Sequence, residues 1–122
     1  MVETDYKKIL VIQLQPVGDV VRATPVVAKL RERYPRAYIA FLVYDRYAEL
    51  LEGNPRLDEV LPFNRKEFLK KIENDKIGQL FIELNRFASR LQERGFDLVV
   101  NLHNTTLSGI LTYLVKARET RG

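Results

Sequence analysis

The sequence predicts a three-layer α/β/α domain built on a parallel β-sheet, and three observations carry that prediction. Three apolar runs, Ile9–Leu14 (ILVIQL), Tyr38–Tyr44 (YIAFLVY) and Leu98–Leu102 (LVVNL), are nearly continuous rather than alternating, as strands buried on both faces must be. Helical spacing of apolar residues fills the gaps between them. The resulting order, β-α-β-α-β-α-β-α, is that of strands joined by crossover helices, which makes neighbouring strands parallel.

Each element has its own signal. After the first strand, Val26, Val27, Leu30 and Tyr34 fall at helical spacing, and Pro35 stops that helix. After the second, Arg46–Glu52 (RYAELLE) reads as a short helix closed by Gly53-Asn54-Pro55, a C-cap glycine followed by a breaker. Glu59–Phe63 (EVLPF) reads as a strand, but Pro62 cannot donate to a ladder, so this is an edge strand or a strand end. Lys66–Asn74 is a basic amphipathic turn or two. Ile77, Leu80, Phe81, Leu84, Phe87 and Leu91 mark one face of a long helix ending at Gly95. Leu107, Ile110, Leu111, Leu114 and Val115 mark the last helix, with Thr105 or Thr106 as its cap.

Composition bounds the chemistry. At 122 residues the chain has the length of one domain, and its 46% hydrophobic content supports a core. With no cysteine there is no disulfide, thiolate metal site or thiol nucleophile. The amino-terminal MVETDYKK is not followed by the apolar core of a signal peptide. No run approaches the roughly 20 apolar residues of a membrane span. The expectation is a soluble cytoplasmic protein. A net charge of +4 suits an anionic ligand, an anionic membrane surface or nucleic acid. Without Cys/His fingers, a Gly-aromatic RNA-binding motif or a long Lys/Arg stripe, nucleic acid is not an expected partner.

For this element order the expected strand order is 3-2-1-4, the first part of a Rossmann-like sheet. Strands 1 and 4 then meet at the topological switch point, where ligands bind beyond the carboxyl ends of the strands. The loop after strand 1 carries Gly18 and Asp19. The loop after strand 4 carries Asn101, His103 and Asn104. Strand 3 runs into Asn64, Arg65 and Lys66 at the same edge. The strand-1 loop lacks GxGxxG and GK[ST], and Asp19 would repel a phosphate, so it is a poor anion loop. An aspartate at a helix start is kept ionised by the dipole and can accept a proton; on spacing alone the N-cap is the favoured reading. Thr24-Pro25 is either a cap with Pro at N1 or a kink. His103 can be a hydrogen-bonded loop residue. Arg65, Lys66, Lys70 and Lys71 can be a solvated face, and the Asn64 segment can cap its own helix.

Gly18-Asp19, Thr24-Pro25 and Tyr34-Pro35, set between two apolar strands, followed by LLEGNPRLDEVLPF and GFDLVVNLHN, resemble the amino-terminal part of the ADP-heptose:lipopolysaccharide heptosyltransferase family, glycosyltransferase family 9. The resemblance covers nearly the whole chain. It implies the incomplete amino-terminal half of a GT-B glycosyltransferase, whose paired Rossmann-like domains hold acceptor and donor. It implies inverting, metal-independent transfer of heptose from ADP-heptose to an inner-core acceptor of a lipopolysaccharide precursor, with no cofactor. Asp19 would be the general base. Gly18, Thr24, Arg65, Lys66, His103 and Asn104 would line the acceptor site, the two cations meeting acceptor phosphates or carboxylates. Peripheral contact with the anionic inner face of the inner membrane is a further expectation.

The chain departs from the family pattern at Leu107 and Gln13, where many members carry a basic residue, and at Pro16-Val17, where Ser or Asn often precedes the Gly-Asp. Residues 1–122 read as one domain that stops at ARETRG, where the family would enter strand 5, so the donor domain is expected to be absent and the 122 residues inactive alone. Strand 4 would then have an unpaired edge, open to self-association. A rival reading is a non-catalytic flavodoxin-like or Rossmann-like interaction module, which explains fold and composition but not the Gly-Asp…Thr-Pro series. A nucleotide-binding domain is a further alternative that the missing glycines oppose.

Overall fold

The computed structural model describes residues 6–14, 22–102 and 106–121. Their elements run β1 (Lys8–Ile12), α1 (Thr24–Arg33), β2 (Tyr38–Tyr44), a 3-10 helix (Asp45–Leu50), β3 (Glu59–Phe63), α2 (Arg65–Glu73), α3 (Ile77–Arg94), β4 (Leu98–Asn101), α4 (Thr106–Val115) and β5 (Glu119–Arg121). The strands form one parallel sheet in the order β3-β2-β1-β4-β5. The expected 3-2-1-4 order therefore holds and is extended by one strand.

The apolar runs are continuous because both faces of the sheet are covered. Ile9, Val11, Ile39, Phe41 and Val43 pack on one face with Ala23 and Val27 of the α1 segment and with Ala48 and Leu51. Leu10, Ile12, Ala40, Leu42 and Val99 pack on the other with Leu91 of α3 and Leu111 and Val115 of α4. Successive residues of a strand alternate between these two cores. β3 is an edge strand, as Pro62 required; there it sits opposite Val43.

One expected cap differs and another holds. The segment after β2 is a 3-10 helix that ends at Leu51, and Gly53, at φ 85°, turns the chain two residues later. Gly95 does cap α3, with its backbone in the left-handed region at φ 67°. The side chains of Thr105 and Thr106, expected to cap α4, lie outside what is described.

The amino edge of the sheet is held by aspartates that precede strands. Asp97, just before β4, accepts the backbone N–H groups of Lys7 at 2.7 Å and Lys8 at 3.0 Å, while its own N–H donates to the Lys8 carbonyl at 2.8 Å. Asp58, just before β3, repeats the device on β2: its carboxylate accepts the Ile39 N–H at 2.8 Å and its N–H donates to the Ile39 carbonyl at 2.9 Å. Arg31 of α1 donates to the Asp58 carboxylate and to the Ala37 carbonyl, fastening helix to sheet. Glu59 receives Arg94 through two parallel bonds of 2.9 and 2.8 Å and the Tyr38 hydroxyl at 2.7 Å. The Arg94 guanidinium holds the Glu59 carboxyl below its ordinary range.

β5 corrects the expectation of an unpaired strand-4 edge. Glu119, Thr120 and Arg121 sit opposite Leu98, Val99 and Val100, and the Glu119 N–H donates to the Asp97 carbonyl at 2.9 Å. The buried Tyr6 hydroxyl donates to the Glu119 carboxylate. The strand was missed because all three of its residues are exposed, so no apolar run marks it. With that edge covered, self-association through β4 loses its structural basis.

Replacing Asp97 with alanine leaves the N–H groups of Lys7, just before β1, and of Lys8, its first residue, without their carboxylate acceptor. The expected loss is about 1–3 kcal/mol of stability in urea unfolding. A loss no larger than that of Glu52→Ala, an exposed control, would show that the amino edge does not depend on this carboxylate.

Candidate functional site

Parallel strands place all their carboxyl ends on one edge, so that edge is where the loops and helix starts converge. In this sheet it is formed by Gln13 and Leu14 after β1, Asp45 and Arg46 after β2, Asn64 to Lys66 after β3, and Asn101 and Leu102 at the end of β4. Of the residues singled out by sequence, Gly18, Asp19, His103 and Asn104 lie outside the described residues. Thr24, Arg65 and Lys66 are described.

Thr24 and Pro25 are the first two residues of α1, and Ala23 is its N-cap. The reading of Thr24 as the cap is therefore corrected. Ala23 already has right-handed helical backbone angles, φ −76° and ψ −15°, and its carbonyl accepts the N–H of Val26 at 3.0 Å. Pro25 fits because first-turn N–H groups have no partner within the helix in any case.

Arg65 and Lys66 open α2. Their helix is started by Asn64, whose Oδ1 accepts the Glu67 N–H at 2.9 Å; the expectation that this segment caps its own helix holds. The cap fixes both cations at the carboxyl edge, and the Arg65 guanidinium lies over the Tyr44 ring, 5.6 Å from its centroid. Together with Asp45, Arg46, Leu69, Lys70 and Glu73 they line an open groove of about 740 Å³. Four cations face two carboxylates there, an excess of two positive charges. Among the described residues no carboxylate is within ion-pair range of Arg46, Arg65, Lys66 or Lys70. Lys71, by contrast, is paired with Glu67 and Glu83 and belongs to the α2–α3 packing. Arg46 lines the same groove and was not singled out by sequence. The signal for it was its place immediately beyond a strand end, the same rule that selected Arg65.

The switch point itself contains two polar side chains that serve different faces. Asn101, 8% exposed, donates to Ser108 of α4 at 3.3 Å, which ties β4 to the following helix. Gln13 continues the alternation of β1 onto the face of Ile9 and Val11. It is 5% exposed, its backbone N–H donates to the Leu42 carbonyl at 3.1 Å, and its Oε1 has no hydrogen-bond partner among the described residues. An uncharged amide thus occupies the buried position where a basic residue was the family expectation.

No protein-family model matches the chain. It is 31% identical over 101 residues to lipopolysaccharide heptosyltransferase 3 of Escherichia coli, covering 83% of this chain and 28% of that protein. A protein of the same name from Escherichia coli strain K12 is 27% identical over 103 residues, covering 83% and 27%. Among solved structures, the glycosyl transferase family 9 protein from Veillonella parvula superposes with a TM-score of 0.80 at 28% identity, covering 98% of this chain and 32% of the other. E. coli ADP-heptose lps heptosyltransferase II does so with 0.72 at 25%, covering 93% and 29%. The chain therefore spans between 27% and 32% of the length of these relatives. The sequence likeness covers most of the chain, the strand order is the one expected of it, and the chain belongs to glycosyltransferase family 9.

Proposed function

We propose that this chain is the acceptor-holding part of a heptosyltransferase that moves heptose from ADP-heptose to a lipopolysaccharide inner-core acceptor. The observation that carries this reading is the groove at the carboxyl edge of β2 and β3, where Arg46, Arg65, Lys66 and Lys70 have no ion-pair partner among the described residues. A neutral sugar would leave these charges without a counterpart. Phosphate or carboxylate groups on an acceptor supply one, and a guanidinium takes either through parallel hydrogen bonds. The names of the relatives agree with such an acceptor.

In the proposed reaction Asp19 is the general base. It takes the proton from an acceptor hydroxyl as that oxygen attacks the anomeric carbon of heptose. The bond from that carbon to the diphosphate breaks, its electron pair leaves with ADP, and the anomeric configuration inverts. No metal or cofactor has a role in this scheme. The donor is held by the part of the enzyme outside this chain. Positioning of the two substrates supplies much of the rate in such a transfer, so the 122 residues alone are inactive in this proposal.

In the full-length enzyme, Asp19→Asn is expected to lower turnover by ~10²–10⁴, the range of a general base, with the unfolding midpoint unchanged. Unimpaired turnover would reduce Asp19 to a helix cap. Arg65→Ala is expected to raise KM for the acceptor and leave KM for ADP-heptose as it was. An equal rise in both would mean that Arg65 supports the fold and not the acceptor.

A further inference from the structure

Among the described residues, three with polar side chains are buried: Gln13, Asn101 and Ser108. Two of them serve each other, since the Asn101 amide donates to the Ser108 hydroxyl. Gln13 is different. Its Oε1 is shut off from solvent, and it is the one buried side-chain nitrogen or oxygen among the described residues that has no hydrogen-bond partner there. Elsewhere such groups are satisfied: the buried Tyr6 hydroxyl donates to Glu119, for example.

A buried carbonyl without a donor has lost its water and gained nothing in exchange, so it destabilises the fold that contains it. Methionine has nearly the same length and flexibility and would fill the place without that loss. The position of the group is as telling as its state. Gln13 lies one residue beyond the end of β1, the central strand, with its N–H given to the Leu42 carbonyl of β2. On the other side of β1, the Leu102 N–H donates to the Ile12 carbonyl at 2.8 Å. Gln13 is therefore at the rim of the core and not within it, on the sheet edge that carries Arg65 and Lys66. The segment that follows it in sequence carries Gly18 and Asp19. Its carbonyl sits where a ligand held at the switch point comes within reach.

We infer that Gln13 is a specificity-determining residue, whose side-chain carbonyl accepts a hydrogen bond from a hydroxyl of the acceptor sugar. The inference rests on the acceptor reading of this edge. A carbonyl oxygen only accepts, and a sugar hydroxyl can donate to it; an ionised phosphate or carboxylate has no proton to give. The work of recognition is then divided. The cations after β2 and β3 hold the anionic groups of the acceptor, and Gln13 reads its neutral ring. The free enzyme carries an unsatisfied carbonyl, and binding of a hydroxyl relieves it. A ligand without that hydroxyl leaves the carbonyl unpaired, and this is how a buried polar group rejects the wrong substrate.

The test compares Gln13→Met with the wild type in the full-length enzyme, with a phosphorylated inner-core oligosaccharide as acceptor. Thermal unfolding is followed without ligand, and steady-state kinetics with both substrates. The midpoint of the variant is expected to rise by about 2 °C, because an unsatisfied buried carbonyl has been removed. Its KM for the acceptor is expected to rise about three- to tenfold, the value of one hydrogen bond. Its kcat and its KM for ADP-heptose are expected to stay as they were, since the bond is made equally in ground and transition states. A residue with only a structural role would not give this split. An unchanged or lower midpoint, or a failure to fold, would overturn the inference, because the carbonyl would then have its donor within the protein. A higher midpoint with the acceptor KM unchanged would overturn it too, as would an equal rise in both KM values or a fall in kcat alone. Absence of transfer by the wild type overturns the proposed reaction and this inference with it; transfer that Gln13→Met leaves unimpaired overturns this inference alone.

Discussion

The position of β1 between β2 and β4 is the constraint on which everything else in this structure depends. Its residues pair with β2 from Lys8↔Tyr38 to Ile12↔Leu42 and with β4 from Ile9↔Leu98 to Ile12↔Asn101. A strand paired on both sides and covered on both faces must be apolar throughout, and Ile9 to Ile12 are all inaccessible. The chain leaves β1 toward β2 and β3 on one side, then crosses back to β4 on the other. That reversal makes the β1–β4 boundary the topological switch point, beyond whose carboxyl end ligands bind in sheets of this kind. The remaining elements either cover the two faces or close the sheet at its sides.

The two ends of the sheet are built differently. At the amino edge, Asp58 and Asp97 each satisfy strand N–H groups of a neighbour, and Arg31 and Arg94 are committed to Asp58 and Glu59. Charges there are matched within the fold. At the carboxyl edge Arg46, Arg65, Lys66 and Lys70 have no such partner among the described residues. Asn64 matters here out of proportion to its size, since capping α2 is what brings Arg65 and Lys66 to that edge.

Most of the fold was legible because burial writes itself into composition. Tyr38–Tyr44 and Glu59–Phe63 coincide with the strands observed, and Pro62 correctly marked the sheet edge. β5 was illegible for the converse reason: Glu119, Thr120 and Arg121 are exposed and are held by backbone pairing and by Tyr6, a contact 113 residues away in sequence. The start of α1 was misread because Thr24 has the chemistry of a cap, whereas Ala23 holds that place by backbone angle alone. The strand-end rule pointed to Arg65 and Lys66, which line the open groove after β2 and β3, and it applies equally to Arg46 in the same groove. That the Gln13 side-chain carbonyl would be buried with no partner among the described residues could not be read from sequence, because it depends on tertiary packing.

The central claim is that the carboxyl edge of this sheet recognises an anionic acceptor. The most direct measurement is the amide nuclear magnetic resonance spectrum of the isotopically labelled protein, titrated with a phosphorylated inner-core oligosaccharide. Saturable shifts are predicted at Thr24, Arg46, Arg65 and Lys66, with Asp58 and Asp97 at the opposite edge unmoved. Shifts confined to the amino edge, or a spectrum that does not change at any acceptor concentration, would contradict the account.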